Sequence, residues 1–227
     1  SNLSSKPTET VQEVSAVNGT GIVLPSHFTE RKITDPSTAR DAINDVADTL
    51  GIVSVEDELG TADCSTVLGD TYYSFPQVYR GIPVYGRKVT VSADADSEAA
   101  LLTSGFYPIE NLSVEAKITQ NDAEKIVAGL YPGEADIYVN NLVIFSLDKT
   151  NPELAWKISV HQNNSWESVF LSAVDGRALK TFSNELTDNE SSSNRFTNVY
   201  LYNAENRDIE VDFRIIFDDG TTAIYDG

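Results

Sequence analysis

The sequence has 227 residues, enough for two small domains, and 41% of them are hydrophobic, enough for buried cores. A formal net charge of −19 argues against nucleic acid and anionic membrane surfaces as partners, because both are bound by clusters of Lys and Arg. The single cysteine, Cys64, excludes an intrachain disulfide. No apolar run reaches the roughly 18 residues that a membrane-spanning helix needs.

The first structured element predicted with clear boundaries is a helix. Residues 1–30 are rich in small polar residues and are predicted to form an extended arm, with a short strand at residues 21–24. Asp35 is a suitable N-cap, Pro36 suits the first helical position, and Gly51 suits the left-handed turn after a helix. The apolar residues between them recur at helical spacing, which predicts one amphipathic helix with a buried stripe of Ala39, Ala42, Ile43, Val46, Ala47 and Leu50.

Alternating residues then predict three antiparallel strands. The turn between the first two is placed at Arg80 and Gly81, and the third strand at residues 99–107. Pro76 and Pro83 have no N–H to donate to a ladder, so each is predicted at an edge, a bulge or a strand end. Alternation places Tyr73, Phe75, Gln77 and Tyr79 on one face of the first strand. It places Val89, Val91 and Ala93 on one face of the second.

The second half repeats this order of elements. Thr119 and Asp122 approximate a capping box at the start of a helix. Its predicted apolar stripe consists of Ala123, Ile126, Val127 and Leu130. Strands are predicted at residues 142–147, 154–160 and 166–174, the last running into a tight turn at Val174, Asp175 and Gly176.

These patterns predict an α+β fold with two helix-on-antiparallel-sheet domains in tandem, followed by a short β tail. A polar, acidic stretch, SNELTDNESSSN, is typical of a linker. The tail is predicted to contain a hairpin and a turn at Asp218, Asp219 and Gly220. The predicted boundaries are an arm at 1–30, domains at 31–113 and 114–183, a linker at 184–194 and the tail at 195–227.

Residues for catalysis or metal binding are not recognised in the sequence. His27 and His161 are isolated, and neither stands in the H-E-x-x-H motif of zinc peptidases. Cys64 has no His near it in sequence that could activate its thiol. We therefore predict no catalytic residue, no cofactor and no metal site for this chain.

Two segments are the most informative in the sequence: residues 75–86 read FPQVYRGIPVYG and residues 169–179 read VFLSAVDGRAL. In this order they resemble the pro-region of secreted thermolysin-like zinc peptidases, in which a fungalysin/thermolysin propeptide domain precedes a PepSY domain. Leu154-Ala155-Trp156 also fits the strand before the PepSY end. The sequence departs from the pattern at Ser172, where the family usually has Asp, and at Pro76, which replaces a polar residue.

The resemblance implies that 31–113 is the propeptide domain, that 114–183 is the PepSY domain, and that the full-length precursor is a secreted, extracellular zinc metalloendopeptidase. This chain would not itself be an enzyme. It would act in cis as intramolecular chaperone and inhibitor of the catalytic domain, and residues 195–227 would be either extra pro-sequence or the start of the mature peptidase. The residues predicted to contact the catalytic domain are Phe75, Gln77, Tyr79, Gly81, Ile82, Pro83, Val84, Tyr85, Gly86 and Trp166.

Two other functions remain open at this point. One is an extracellular binding module for peptide, glycan or wall polymer. The other is a stand-alone secreted peptidase inhibitor that acts in trans. The reading frame beyond Gly227 separates all three, because only a peptidase precursor continues into an H-E-x-x-H motif.

Overall fold

The computed structural model describes residues 12–16, 19–146, 151–183, 213–216 and 222–225, with side chains for 21–146 and 151–182. Over these ranges, short helices accompany one large, mostly antiparallel sheet, which confirms the mixed α+β class. The helices are α1 (Pro36–Asp45), α2 (Ala47–Leu50), α3 (Val55–Glu58) and α4 (Gln120–Ala128). The strands are β1 (Gln12–Ala16), β2 (Gly19–Leu24), β3 (Asp63–Val67), β4 (Asp70–Tyr79), β5 (Ile82–Ala93), β6 (Ala99–Ser104), β7 (Asp136–Phe145), β8 (Glu153–Gln162), β9 (Ser165–Ser172), β10 (Ala178–Ser183), β11 (Phe213–Ile216) and β12 (Thr222–Tyr225).

The predicted caps of the first helix are confirmed, but its length is not. Asp35 accepts a hydrogen bond from the Thr38 N–H at 2.8 Å, and Gly51 adopts φ 74°. The prediction of a single helix is wrong, because the chain leaves helical geometry at Val46 (φ −121°, ψ 13°) and resumes it in α2. Just before this break, the Asp45 carboxylate accepts hydrogen bonds from the preceding loop, a tertiary contact that helical periodicity does not encode.

The first half of the sheet has the predicted alternation. β4 and β5 pair through a turn in which Arg80 has φ 49° and Gly81 φ 80°, the left-handed pair of a two-residue hairpin. The register shifts between Pro76 and Val78, so Pro76 lies at a bulge, as predicted. The buried residues beneath the helices include Ala39, Ala42, Ile43, Leu50, Tyr73, Phe75, Val89, Val91 and Leu102.

Two edge strands, β1 and β3, were not predicted from the sequence. The predicted arm contains β1 and β2, which form an antiparallel pair, and β2, which includes the strand predicted at residues 21–24, joins the sheet beside β6. The polar stretch that contains Cys64 forms β3, which pairs only with β4 among the described strands, and Cys64 is exposed. Residues 63–66 are exposed on both faces of β3, so no alternation of apolar residues marks this strand.

In the second half, α4 packs on the sheet formed by β7 to β10. The Thr119 side chain accepts a hydrogen bond from the Asp122 N–H at 3.1 Å and caps α4. Ala123 and Val127 are buried against β8 and β9. Leu130 is 53% exposed, so its assignment to the buried stripe is wrong, because α4 ends at Ala128 and the chain turns away.

The two halves share one sheet. β5 pairs with β6 over residues 89–93, and at Val84 the strand makes a parallel pairing with Ile144 of β7. A separate cluster of buried residues lies around this contact and consists of Val84, Ile109, Ile144, Leu154 and Ala173. The strand order β1-β2-β6-β5-β7-β8-β9-β10 therefore runs from one half into the other without interruption, with β4 and β3 branching from β5.

The described part of the tail is a strand pair. β11 and β12 pair antiparallel in a sheet of their own, with Phe213 opposite Tyr225. The predicted turn at 218–220 and the predicted linker at 184–194 lie outside the described residues.

Candidate protein-binding site

Three residues predicted to contact a partner are buried in the chain's own core. Phe75 is 1% exposed, Gln77 2% and Val84 4%. Phe75 lies beneath the helices, where the Arg40 guanidinium stands 5.0 Å from its ring centroid. A partner that binds the folded chain cannot reach these side chains, so burial removes them from the candidate contact surface.

Gln77 has an internal role that explains its burial. Its Nε2 donates to the Tyr107 carbonyl at 2.6 Å, and its Oε1 accepts from the Tyr107 N–H at 2.9 Å. Both polar groups of the buried amide are therefore satisfied by the backbone of one residue in the connector that leads to the second half. The signal was present in the sequence, because an amide at an apolar position of a strand requires a partner inside the protein.

The hairpin at residues 79–86 faces the same connector. The Tyr79 hydroxyl accepts a hydrogen bond from the Leu112 N–H at 3.2 Å. The Tyr79 and Ile82 side chains are partly buried against the cluster around Ile144. This hairpin therefore joins the first half of the sheet to the second, and only Gly81, Pro83, Tyr85 and Gly86 of its predicted contact residues are exposed.

Tyr85 is exposed at the edge of an aromatic cluster. Its ring centroid lies 4.5 Å from that of Phe170 and 5.9 Å from that of Phe145, and the ammonium of Lys157 stands 5.6 Å from the Tyr85 ring centroid. Burial of its hydroxyl raises the pKa of Tyr85. Tyr85 is 36% exposed and so presents only part of its ring to a partner.

Among the aromatic residues predicted to contact a partner, Trp166 is the most exposed, at 45%. Its ring stacks on His161 with centroids 4.7 Å apart and on Tyr138 with centroids 5.8 Å apart. The His161 Nδ1 lies 3.5 Å from a carboxylate oxygen of Asp136. We call Tyr138, His161 and Trp166 the aromatic patch. Sequence reasoning found only Trp166, since its two neighbours come from other strands.

Strand β9, which carries Trp166, is anchored on the face opposite the aromatic patch. The Tyr131 hydroxyl, just beyond α4, donates a hydrogen bond to the Glu167 carboxylate. Burial and this hydrogen bond raise the pKa of Tyr131 to about 12. Trp156, predicted to lie in the core, is partly buried and donates from Nε1 to the Ile118 carbonyl at 2.8 Å. These contacts hold β8 and β9 in place beneath the patch.

Within the described ranges, no group of three or more His, Cys, Asp or Glu side chains is placed to hold a metal ion. None of the described helices is long and apolar enough to cross a membrane.

The Fungalysin/Thermolysin Propeptide Motif matches residues 64–106. The match runs from β3 to the residue before Tyr107 and includes the hairpin and Gln77. The predicted resemblance to the pro-region of a thermolysin-like peptidase is confirmed by this match. A propeptide is the non-catalytic part of a peptidase precursor, so this part of the chain is not a catalytic domain.

No curated protein matches the chain. The chain is similar to the solved structure of the Bacillus megaterium YpeB C-terminal domain, with 13% identity and a TM-score of 0.38 over 77% of this chain and 88% of that chain. It is also similar to a putative lipoprotein from Clostridium difficile 630, with 16% identity and a TM-score of 0.26 over 70% of this chain and 99% of that chain.

Proposed function

We propose that this chain is the pro-region of a secreted thermolysin-like metallopeptidase precursor, in which it acts in cis as intramolecular chaperone and inhibitor of the catalytic domain. The observation that supports this proposal is the match of the propeptide motif to residues 64–106. The partner would be the catalytic domain, and the place of action extracellular.

The internal role of the motif residues fits this function. A surface that inhibits or templates another protein binds best when it is already ordered, because less conformational entropy is lost on association. Gln77 and Tyr79 fix the connector by hydrogen bonds, and Val84 pairs directly with the second half. The motif would thus hold both halves in one arrangement, ready to bind. A pro-region that binds the native-like peptidase and not its unfolded chain favours the folded form by mass action.

The proposed organisation along the chain is taken from the sequence. We assign the propeptide domain to 31–113 and the PepSY-like domain to 114–183, in tandem. The polar segment 184–194 would be the site of maturation cleavage, because polar, apolar-poor segments between domains are preferred by proteases.

The test has two arms. The reading frame beyond Gly227 is expected to encode an H-E-x-x-H motif, and the purified chain is expected to slow the peptidase released from that precursor. Failure to find the motif, with other modules or an anchor in its place, would favour an extracellular binding module. A reading frame that stops close to Gly227, together with inhibition in trans, would favour a stand-alone inhibitor. A downstream peptidase that the chain does not inhibit at micromolar concentration contradicts the inhibitor role.

A further inference from the structure

Exposed aromatic side chains collect on one face of the second half of the sheet. Among the residues whose side chains are described, the exposed large aromatics are Tyr85, Tyr138 and Trp166. The register places Tyr138 opposite Ser159 and Trp166 opposite His161. Ser159 and His161 are two residues apart on β8, so their partners project from the same face.

The other face of these strands is covered. Ala123 and Val127 of α4 pack there against Ile158, Val160 and neighbouring apolar residues. An antiparallel sheet can leave one face to solvent, but solvated faces carry mainly polar side chains. The aromatic patch departs from that rule, with Tyr138 52% and Trp166 45% exposed.

The rings of the patch pack against one another. Trp166 is stacked between contacts with His161 and Tyr138, and Asp136 lies beside the His161 ring. Trp and Tyr are enriched among residues that dominate binding energy, because they bury a large area and lose little side-chain entropy. Rings already held by stacking lose still less when a partner covers them.

The position of the end of β10 indicates which partner would be held near the aromatic patch. In β10, Phe182 pairs with Ser168 and Ser183 pairs with Glu167. Glu167 is the neighbour of Trp166 in β9, so the end of β10 lies beside the row of the aromatic patch. Under the proposed function, a catalytic domain encoded later in the polypeptide would be tethered through this end of β10, and tethering raises effective concentration near the patch.

We infer that the aromatic patch is the docking surface for the catalytic domain located downstream in the precursor, with Trp166 as its central anchor. This inference rests on the proposed function and names the surface through which it operates. It also reassigns the contact: the patch binds the peptidase, whereas the hairpin at residues 79–86 connects the two halves of the chain.

The test compares variants of the 227-residue chain as inhibitors of the peptidase released from the precursor. W166A and Y138A remove patch rings, and W166F restores an aromatic ring. L130A is the matched control, since Leu130 is an exposed apolar side chain, 53% accessible, on the α4 side of the same half. Thermal unfolding of each variant shows whether its fold is retained.

We expect the inhibition constant to rise roughly tenfold or more for W166A, since central Trp anchors carry much of the affinity at interfaces. Y138A should have a smaller effect, W166F should recover part of the loss, and L130A should match the wild type. Wild-type inhibition with an unchanged W166A constant would overturn the inference and leave the proposed function intact. A wild-type chain that does not bind the peptidase would overturn both. Self-association of the wild-type chain that W166A abolishes would assign the patch to a second copy, and it too would overturn the inference.

Discussion

The hairpin at residues 79–86 and the aromatic patch both contain aromatic side chains, but the surroundings of these side chains differ. Both are rich in aromatic residues, and both contain residues that the sequence predicts to contact the catalytic domain. In the structure, Tyr79 and Ile82 of the hairpin pack against the chain itself, whereas Tyr138 and Trp166 of the patch remain exposed. Aromatic composition alone therefore does not distinguish side chains that pack against the chain itself from side chains that stay exposed, because the fold decides between these two outcomes.

The difference arises from the segments that pack against each region. The connector at residues 107–118 passes over the hairpin and binds Gln77 and Tyr79 through its backbone. Behind the patch, α4 covers the opposite face of the strands, whereas the Tyr138 and Trp166 side chains on the aromatic face are exposed. Mutations that separate internal from external contacts test this comparison.

We call the contact of Gln77 and Tyr79 with the connector at residues 107–118 the junction. The largest loss of stability is expected from Q77A in this junction. The substitution leaves the Tyr107 N–H and carbonyl without the Gln77 amide in a buried site, and each unsatisfied buried group costs about 1–3 kcal/mol. We expect the free energy of unfolding, measured with urea, to fall by about 2–4 kcal/mol. Q162A is the matched control, because Gln162 also donates to backbone carbonyls but near the surface. An equal loss in both variants would contradict the special role of the buried amide.

Y131F tests the support behind the patch. Loss of the Tyr131–Glu167 hydrogen bond should lower the free energy of unfolding by about 1.5 kcal/mol at neutral pH, since the acceptor is charged.

The same variant carries a pH signature. The pKa of Tyr131 is raised from 10.0 to about 12, so the folded chain holds this proton more tightly than the unfolded chain. The contribution of the protonated Tyr131 to the free energy of unfolding is fully present below pH 10 and is lost as the pH rises to about 12. Y131F should lack this part of the alkaline decline in stability and the corresponding step in tyrosinate absorbance. Retention of that step would show that another tyrosine is responsible.

Y79F is expected to have a smaller effect in the junction. It removes the acceptor for the Leu112 N–H, a single neutral hydrogen bond, and should cost about 1 kcal/mol in denaturant unfolding. Y138F removes a hydroxyl from an exposed ring of the patch and serves as the control, with no expected change. Identical results for the two variants would mean that the Tyr79 hydroxyl does not stabilise the junction.

Among the test substitutions, leaving the controls aside, W166A should change stability least. Its ring is 45% exposed, so its removal should alter the free energy of unfolding by only about 0.5 kcal/mol, although inhibition weakens. A loss of several kcal/mol would show that Trp166 stabilises the folded chain, as the hairpin residues do, and would contradict the distinction between the two regions.

Local signals in the sequence were sufficient for much of the fold. Asp35 and Gly51 mark the two ends of the first helical region as predicted, and Arg80 with Gly81 forms the expected turn. Helix ends and tight turns depend on the backbone preferences of single residues, so the sequence reveals them. The exposed edge strand β3 was missed because residues on both of its faces are polar. Leu130 was misassigned because the 3.6-residue period does not mark where a helix ends.

Contacts between distant segments could not be predicted from one sequence. The parallel pairing of Val84 with Ile144 joins residues 60 positions apart, and no local pattern specifies it. The aromatic patch brings together three strands, so Trp166 was identified but Tyr138 and His161 were not. The burial of Gln77 depends on the return of the connector, which is a property of the whole fold.

Hydroxyl-radical footprinting of aromatic side chains, with and without the released peptidase, tests the distinction between the two regions most directly. In the free chain, Tyr138 and Trp166 should react readily and the partly buried Tyr79 slowly. With the peptidase bound, Tyr138 and Trp166 should become protected while Tyr79 stays unchanged. Protection of Tyr79 with no change at Trp166 would contradict the account, because it would make the hairpin the docking surface.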